Sequence, residues 1–259
     1  MANTIIDLNC DAGPYAFREY PVTTVAEVAA DLARFGITTA YLGSAAAITY
    51  PSPQPANERL AAEAQQAELH GIEVRLAAVL NPEYPGARRD LHDCAALGFR
   101  ALKLYPTYHA FDLLSYETVR LVETAAEWGW PVLLAVRVED ERHHHPLMKV
   151  PALAMETAIA FARDVPKAVV VLCTGQAGEI VSFLQGVQRD NVLAEVSFVK
   201  GPLNATEDLV RQVGSERLAF GTHLPFSYAQ TALAKVREAS ITDEAKAAIL
   251  SGNAARLIR

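Results

Sequence analysis

The densest group of chemically capable side chains in this sequence lies in residues 131–146, PVLLAVRVEDERHHHP. An apolar run, Val132 to Val136, passes without a break into Arg137, Glu139, Asp140, Glu141, Arg142 and three consecutive histidines, His143, His144 and His145. A guanidinium can clamp a carboxylate through a two-pronged fork, which makes Arg137 the best anion anchor. Histidines can hold a metal or relay a proton. Pro146 favours extended backbone before it, which would put His143 and His145 on one side. The plainer alternative is a solvated loop ordered by ion pairs among Asp140, Glu141 and Arg142. Similar residues stand at the ends of other apolar runs: Asp7, Asn9 and Asp11 in IIDLNCDAG, Lys103 and Tyr105 in ALKLYP, Glu195 and Ser197 in AEVSF, and His223 in GTHLPF.

The elements that must position these residues alternate regularly. Short apolar runs at 5–10, 37–44, 72–80, 100–105, 132–138, 168–173, 192–198 and 218–222 read as strands. Between them lie helical patterns with the usual start and stop signals, such as Thr23 or Thr24 before and Gly36 after the first. Helices are expected at about 24–35, 56–70, 86–97, 116–128, 151–163, 177–188 and 206–213, with two or three more from 227 to the end. Eight β–α units in 259 residues have the size and rhythm of an α/β fold of the (β/α)8 TIM-barrel type, spanning 1–259 as a single domain. An open doubly wound sheet would want a glycine-rich first turn, and DAGPYAF is a poor match.

Strand side chains alternate between lumen and helix layer, and barrel sites sit at the C-terminal ends of the strands. With Ile6 and Leu8 facing the helices, Asp7, Asn9 and Asp11 would face the lumen. Asp7 would lie deepest and could pair with Lys103. By the same parity Lys103 and Tyr105, Ala135, Arg137 and Glu139, then Glu195 and Ser197, all point inward, with His223 at the rim beyond Gly221. Five strands thus send acids, bases and a histidine to one end of one cavity. The turn TGQAG (174–178) opens a helix and could offer backbone N–H groups to an anion. The loops KGPLNA and THLPFSY lack the paired glycines of a barrel phosphate site.

Bulk properties narrow the function classes. With 23 basic and 30 acidic residues the net charge is −7, which argues against nucleic acid or an anionic membrane as the main partner. No apolar run approaches the roughly 20 residues needed to span a bilayer. MANTIIDLNCD lacks a basic leader, and Cys10, Cys94 and Cys173 have no metal-motif spacing. A cytoplasmic protein acting on a small molecule is the expectation, with homo-oligomerisation left open.

The sequence resembles the amidohydrolase superfamily, in particular its amidohydrolase-2 branch. IIDLNCDAG is similar to the opening strand with its His-x-His, and GFRALKLYPTY and WGWPVLLAV are similar to the fourth and fifth strands. VVVLCTGQAG stands in the place of a strand-six His-Gly-Gly, and RLAFGTHLPF in that of a strand-eight Gly-Ser/Thr-Asp-x-Pro-Phe. ILSGNAARLI resembles the closing helix. The resemblance implies a barrel that hydrolyses or decarboxylates small carboxylated substrates at a metal centre. At the implied ligand positions, however, stand Asn9, Asp11, Ala135, Thr174 and His223, and only Asp11 and His223 keep a normal zinc-binding group.

Three outcomes follow from that substitution pattern. The first is a metal-free hydrolase in which Asp11 or His223 activates water and Lys103 or Tyr105 steadies negative charge. In it Asn9, Arg137, Glu195, Arg142, His143 and His145 bind the substrate. The second is a rearranged site in which Asp11, His223, His143 and His145 hold one divalent ion such as zinc. The third is a ligand-binding barrel without catalysis.

Overall fold

Hydrophobic periodicity and capping explain the helices directly. In the first, Val25–Arg34 (α1), Val25, Val28, Ala29 and Leu32 form one buried stripe. Thr24 and Glu27 close a reciprocal capping box at its start. The computed structural model describes residues 4–258. Its strands are Ile6–Ala12 (β1), Thr39–Ser44 (β2), Glu73–Val79 (β3), Ala101–Leu104 (β4), Val132–Ala135 (β5), Val170–Cys173 (β6), Val192–Glu195 (β7) and Leu218–Ala219 (β8). The helices after α1 are Gln54–Gln66 (α2), Ala87–Ala96 (α3), Pro106–His109 (α4), Tyr116–Glu127 (α5), Met155–Asp164 (α6), Ala177–Gly186 (α7), Ala205–Val213 (α8), Ala229–Arg237 (α9), Asp243–Ala247 (α10) and Asn253–Leu257 (α11).

The eight strands form one parallel sheet in sequence order. Past β8 the chain returns to β1: Leu8 N–H donates to Phe220 O at 3.0 Å, His223 N–H to Asn9 O at 2.7 Å and Asp11 N–H to Leu224 O at 2.7 Å. The architecture is a (β/α)8 TIM barrel. Its outer wall of Leu102, Leu104, Val132, Leu134, Val170 and Leu172 packs against the helices. The deep lumen is filled by Leu8, Tyr41, Ala101, Leu133, Val171 and Leu193. Ala254 and Ile258 join that cluster and stopper the bottom of the barrel. Asn253 anchors them by donating its amide to Ser215 O (2.7 Å) and Leu218 O (2.8 Å).

The expected parity of β1 is reversed over its first half. Against β2, Asp7 pairs with Ala40 but Cys10 pairs with Leu42, so β1 carries one residue more than its partner over that stretch. Before this bulge Leu8 belongs to the lumen cluster, while Asp7 sits opposite Ala40 of the helix-facing wall. After it Cys10 faces the helices and Asp11 faces the lumen. Three strands also stop early. The strands expected to reach 138, 198 and 222 end at Ala135, Glu195 and Ala219, so Arg137, Ser197 and His223 stand on the loops beyond. Val138, expected on the outer wall, instead joins a cluster at the barrel mouth with Tyr15, Tyr105 and Ala135.

Candidate active site

The centre of the strand-end cluster is a buried triangle of Asp11, Lys103 and Tyr105. Lys103 Nζ lies 2.8 Å from Asp11 Oδ2 and donates to Cys10 O at 3.3 Å. The Tyr105 hydroxyl donates to the same carboxylate, 3.1 and 3.2 Å from its two oxygens. All three side chains are within 2% of complete burial. Burial pushes the Asp11 carboxyl above its ordinary value against the pull of Lys103 and Tyr105. At Lys103 burial acts to discharge the ammonium, but Asp11 and the surrounding groups outweigh it and hold the group charged.

Two glycines make room for these charges. A Cβ at Gly43 of β2 would come within 2.5 Å of Asp11 Oδ1, and one at Gly221 within 2.6 Å of Glu195 Oε2. Glu195 is itself the hub of a second network. It accepts from Asn9 Nδ2 (3.0 Å), Thr174 N–H (2.6 Å), Ser197 N–H (2.6 Å) and the Ser197 hydroxyl (2.8 Å). Thr174 adopts a left-handed φ of 58°, unusual for a β-branched residue. Its hydroxyl hydrogen-bonds the carbonyls of Arg137 and Cys173, which helps to hold it there.

His223 completes the cluster, also at a left-handed φ, 57°. Its Nε2 is 2.6 Å from Val138 O, and a carbonyl only accepts, so Nε2 carries the proton. Nδ1 therefore keeps its lone pair and faces the Asn9 amide at 3.5 Å. Burial lowers the ring's pKa to about 3, partly opposed by the hydrogen bond to Val138, so the imidazole is neutral at physiological pH. Phe226 stacks on it with ring centres 5.1 Å apart, and Tyr15 and Tyr20 meet Phe226 edge-on. These aromatics roof the barrel mouth. Tyr20 donates to Glu139 at 2.9 Å, and Arg18 pairs with the same carboxylate at 3.6 Å.

Several sequence expectations are corrected by this geometry. Asp7 does not meet Lys103. It accepts from Thr222 N–H (2.9 Å), the Thr222 hydroxyl (2.5 Å) and Asn9 N–H (2.9 Å), and burial raises its pKa to about 6. The N-terminal turn of α7 is filled by the chain's own anion, because Glu179 accepts from Gln176 N–H at 2.7 Å. Glu179 also takes both terminal nitrogens of Arg137, which further donates to Thr174 O at 2.8 Å. The fork of Arg137 is thus engaged within the protein. His143 lies in a 3-10 turn, Glu141–His143, not in extended chain, and His143 and His145 are both exposed. His145 packs on Phe17 with ring centres 5.5 Å apart, and the His143 carbonyl accepts from Arg18. Asp140 does order its loop as expected, pairing with Arg142 (2.9 Å) and Lys200 (3.2 Å), which hold its carboxyl far below the usual range.

On the same face opens a cavity of about 340 Å³ bounded by Arg137, Asp140, Glu141, Arg142, Gln176 and Phe198. Neither Glu179 nor Phe198 stood out in the sequence. The Gln176–Glu179 spacing is that of a capping box and could have identified the first. Nothing marks Phe198 except its place at a strand end.

A model of the amidohydrolase family matches residues 10–259. The chain belongs to the amidohydrolase family. No curated protein matches it. Among solved structures the chain is similar to 5-carboxyvanillate decarboxylase from Sphingomonas paucimobilis, at 15% identity over 99% of each chain and a TM-score of 0.71. A probable 2-pyrone-4,6-dicarboxylic acid hydrolase from Acinetobacter baumannii, solved with citric acid, gives 14% identity, 98% coverage of each chain and a TM-score of 0.67. A dihydroxybenzoic acid decarboxylase from a Polaromonas species, containing manganese and 2-nitroresorcinol, gives 17% identity, 98% and 96% coverage and a TM-score of 0.67. At these identities the likeness is one of fold.

A divalent ion of the kind in the last structure does not fit the donor set at the strand ends of this chain. Among the described residues no three His, Cys, Asp or Glu side chains converge as metal ligands. Both oxygens of Asp11 are already bonded, and the nearest positive charge is the Lys103 ammonium 2.8 Å away, which would repel a second cation.

Proposed function

We propose that this amidohydrolase-family chain is a metal-independent hydrolase for a small carboxylate-bearing metabolite. The observation that carries the reading is the Lys103–Asp11 pair, a protein-borne cation fully buried where the strand ends converge. A fixed positive charge in a site closed to water stabilises developing negative charge strongly, because the surroundings screen it little. Tyr105 and Lys103 would steady an oxyanion. His223 is better placed than Asp11 to accept a proton from water. Its Nδ1 has only a long contact with an amide, whereas Asp11 is bonded on both oxygens. The burial that lowers the ring's pKa to about 3 makes it a weak base in the closed site, and water entering with the substrate would relieve that burial. Arg142 and Arg137 border the cavity in which the substrate carboxylate would sit, while Asn9 and Glu195, which bond each other at 3.0 Å, would meet the substrate only once it has passed inward.

One observation favours a second reading, that of a ligand-binding barrel without catalysis. Asp11, Glu195, Asp7 and Arg137 each already have protein partners, as they would in a core that has taken over a former site. The test is to assay untagged, chelator-dialysed protein against carboxylate-bearing esters, amides and lactones, with decarboxylation of carboxylated aromatics followed in parallel. Turnover that survives chelation and is lost in His223→Gln is the expected result. Turnover that needs an added metal would overturn the proposal, and ligand binding with no turnover would favour the second reading.

A further inference from the structure

We propose that the cavity bounded by Arg137, Arg142, Gln176 and Phe198 is the entry and recognition pocket for a carboxylate, and that the Phe198 ring is the gate between it and the buried His223. The inference rests on the carboxylate-directed reading above and adds the route and the gating residue. Phe198 borders the cavity on one side and meets the His223 ring on the other, with centres 6.1 Å apart at 75°. His223 itself is 3% exposed and does not border the cavity, so the phenyl ring is the partition.

The ring is held by cations. Lys200 Nζ lies 4.0 Å and Arg137 Cζ 5.3 Å from its centre, both within reach of a cation–π attraction. Lys200 also bonds Asp140 on the cavity wall, and Asp140 is shared with Arg142. A carboxylate in the cavity would compete for Arg142 and Lys200. Drawing Lys200 away weakens the hold on the phenyl ring, and this difference between the two states lets a ligand bias the gate. Acids stand here too: Asp140 and Glu141 border the cavity and Glu179 pairs with Arg137, so entry requires exchange of partners, not simple attraction.

The alternative way in, through the aromatic roof, demands more. It would separate Phe226 from Tyr15, Tyr20 and His223 and break the Tyr20–Glu139 hydrogen bond. Turning Phe198 gives up its contacts with Lys200 and Arg137 but leaves the roof and the Tyr20–Glu139 hydrogen bond in place.

The gate is tested by carbethoxylation of histidines with diethyl pyrocarbonate, mapped by peptide mass, with exposed His143 and His145 as internal references. Phe198→Ala should speed modification of His223 severalfold over the references, and Phe226→Leu should change it much less. The reverse order would overturn the gate. Should Phe198→Ala also loosen the fold, seen as a lowered melting temperature, Phe198→Leu decides by the same ratio. Recognition is tested by calorimetric binding of benzoate and its neutral analogue benzamide. Benzoate should bind more tightly, and Arg142→Ala should remove the difference. Equal binding, no benzoate binding, or indifference to Arg142→Ala would overturn the pocket. Gated labelling and carboxylate binding without turnover would leave this inference standing and remove only the hydrolase.

Discussion

Lys103 and Asp11 form a pair whose value lies in its completeness. Separating buried charges from water is costly, and removing one partner leaves the other uncompensated. Lys103→Met should therefore destabilise the fold by about 3–5 kcal/mol. Lys103→Met with Asp11→Leu should cost much less than the sum of the two single changes, as measured by urea unfolding in a double-mutant cycle. Additive losses would show that the two groups act independently. His223 makes a prediction about pH. Its folded pKa of about 3 lies below the ordinary 6.5, so the unfolded chain binds the proton more readily between those values. The stability it contributes is complete above about pH 6.5 and is lost as the pH falls toward 3, a span of up to about 4–5 kcal/mol. Asp7 works in the opposite sense: its folded pKa of about 6 exceeds 3.8, so its contribution is greatest below 3.8 and declines as the pH rises through 6. His223→Gln should flatten the acid side of the melting-temperature profile. An unchanged acid limb would contradict the assignment.

The strands place these residues through two features of unequal legibility. The eight runs, the helix caps and the inward parity of β4, β5 and β7 could be read from the sequence, because period-two and period-3.6 patterns survive in buried apolar positions. The β1 bulge could not. Its extra residue near Leu8 and Asn9 is set by pairing with β2 and turns Asp7 away from Lys103, a long-range effect no local pattern encodes. Lys103, Tyr105 and Asp11 were visible as candidates from parity, but the occupation of Arg137 by Glu179 depends on a contact 42 residues apart in sequence. Gly43 offers a test at this scale. Its missing side chain leaves space that the Asp11 carboxylate occupies, so Gly43→Ala should cost about 1–3 kcal/mol by forcing the pair apart. Gly98→Ala is the control: a Cβ there meets nothing within 4 Å, and only its positive φ of 94° opposes the change. Urea unfolding of Gly43→Ala should show that loss together with perturbed Lys103 contacts. A wild-type midpoint would show that the space is not needed.

Across the whole molecule, this amidohydrolase-family chain shares the barrel fold of its structural neighbours, and its strand ends gather Asp11, Lys103, Tyr105, Glu195 and His223. α11 and Ile258 stopper the bottom and aromatic residues roof the top, so the charged cluster is enclosed from both sides. No helix among the described residues is long and apolar enough to cross a membrane. The proposed metal-independent chemistry rests on Lys103 as the positive charge held within the fold. The most direct measurement is the metal stoichiometry of untagged protein equilibrated with zinc or manganese and freed of excess ion, compared with Asp11→Ala. Any ion retained should be unaffected by Asp11→Ala, as expected for weak binding at exposed His143 or His145. One equivalent held by the native chain and lost in Asp11→Ala would contradict the account.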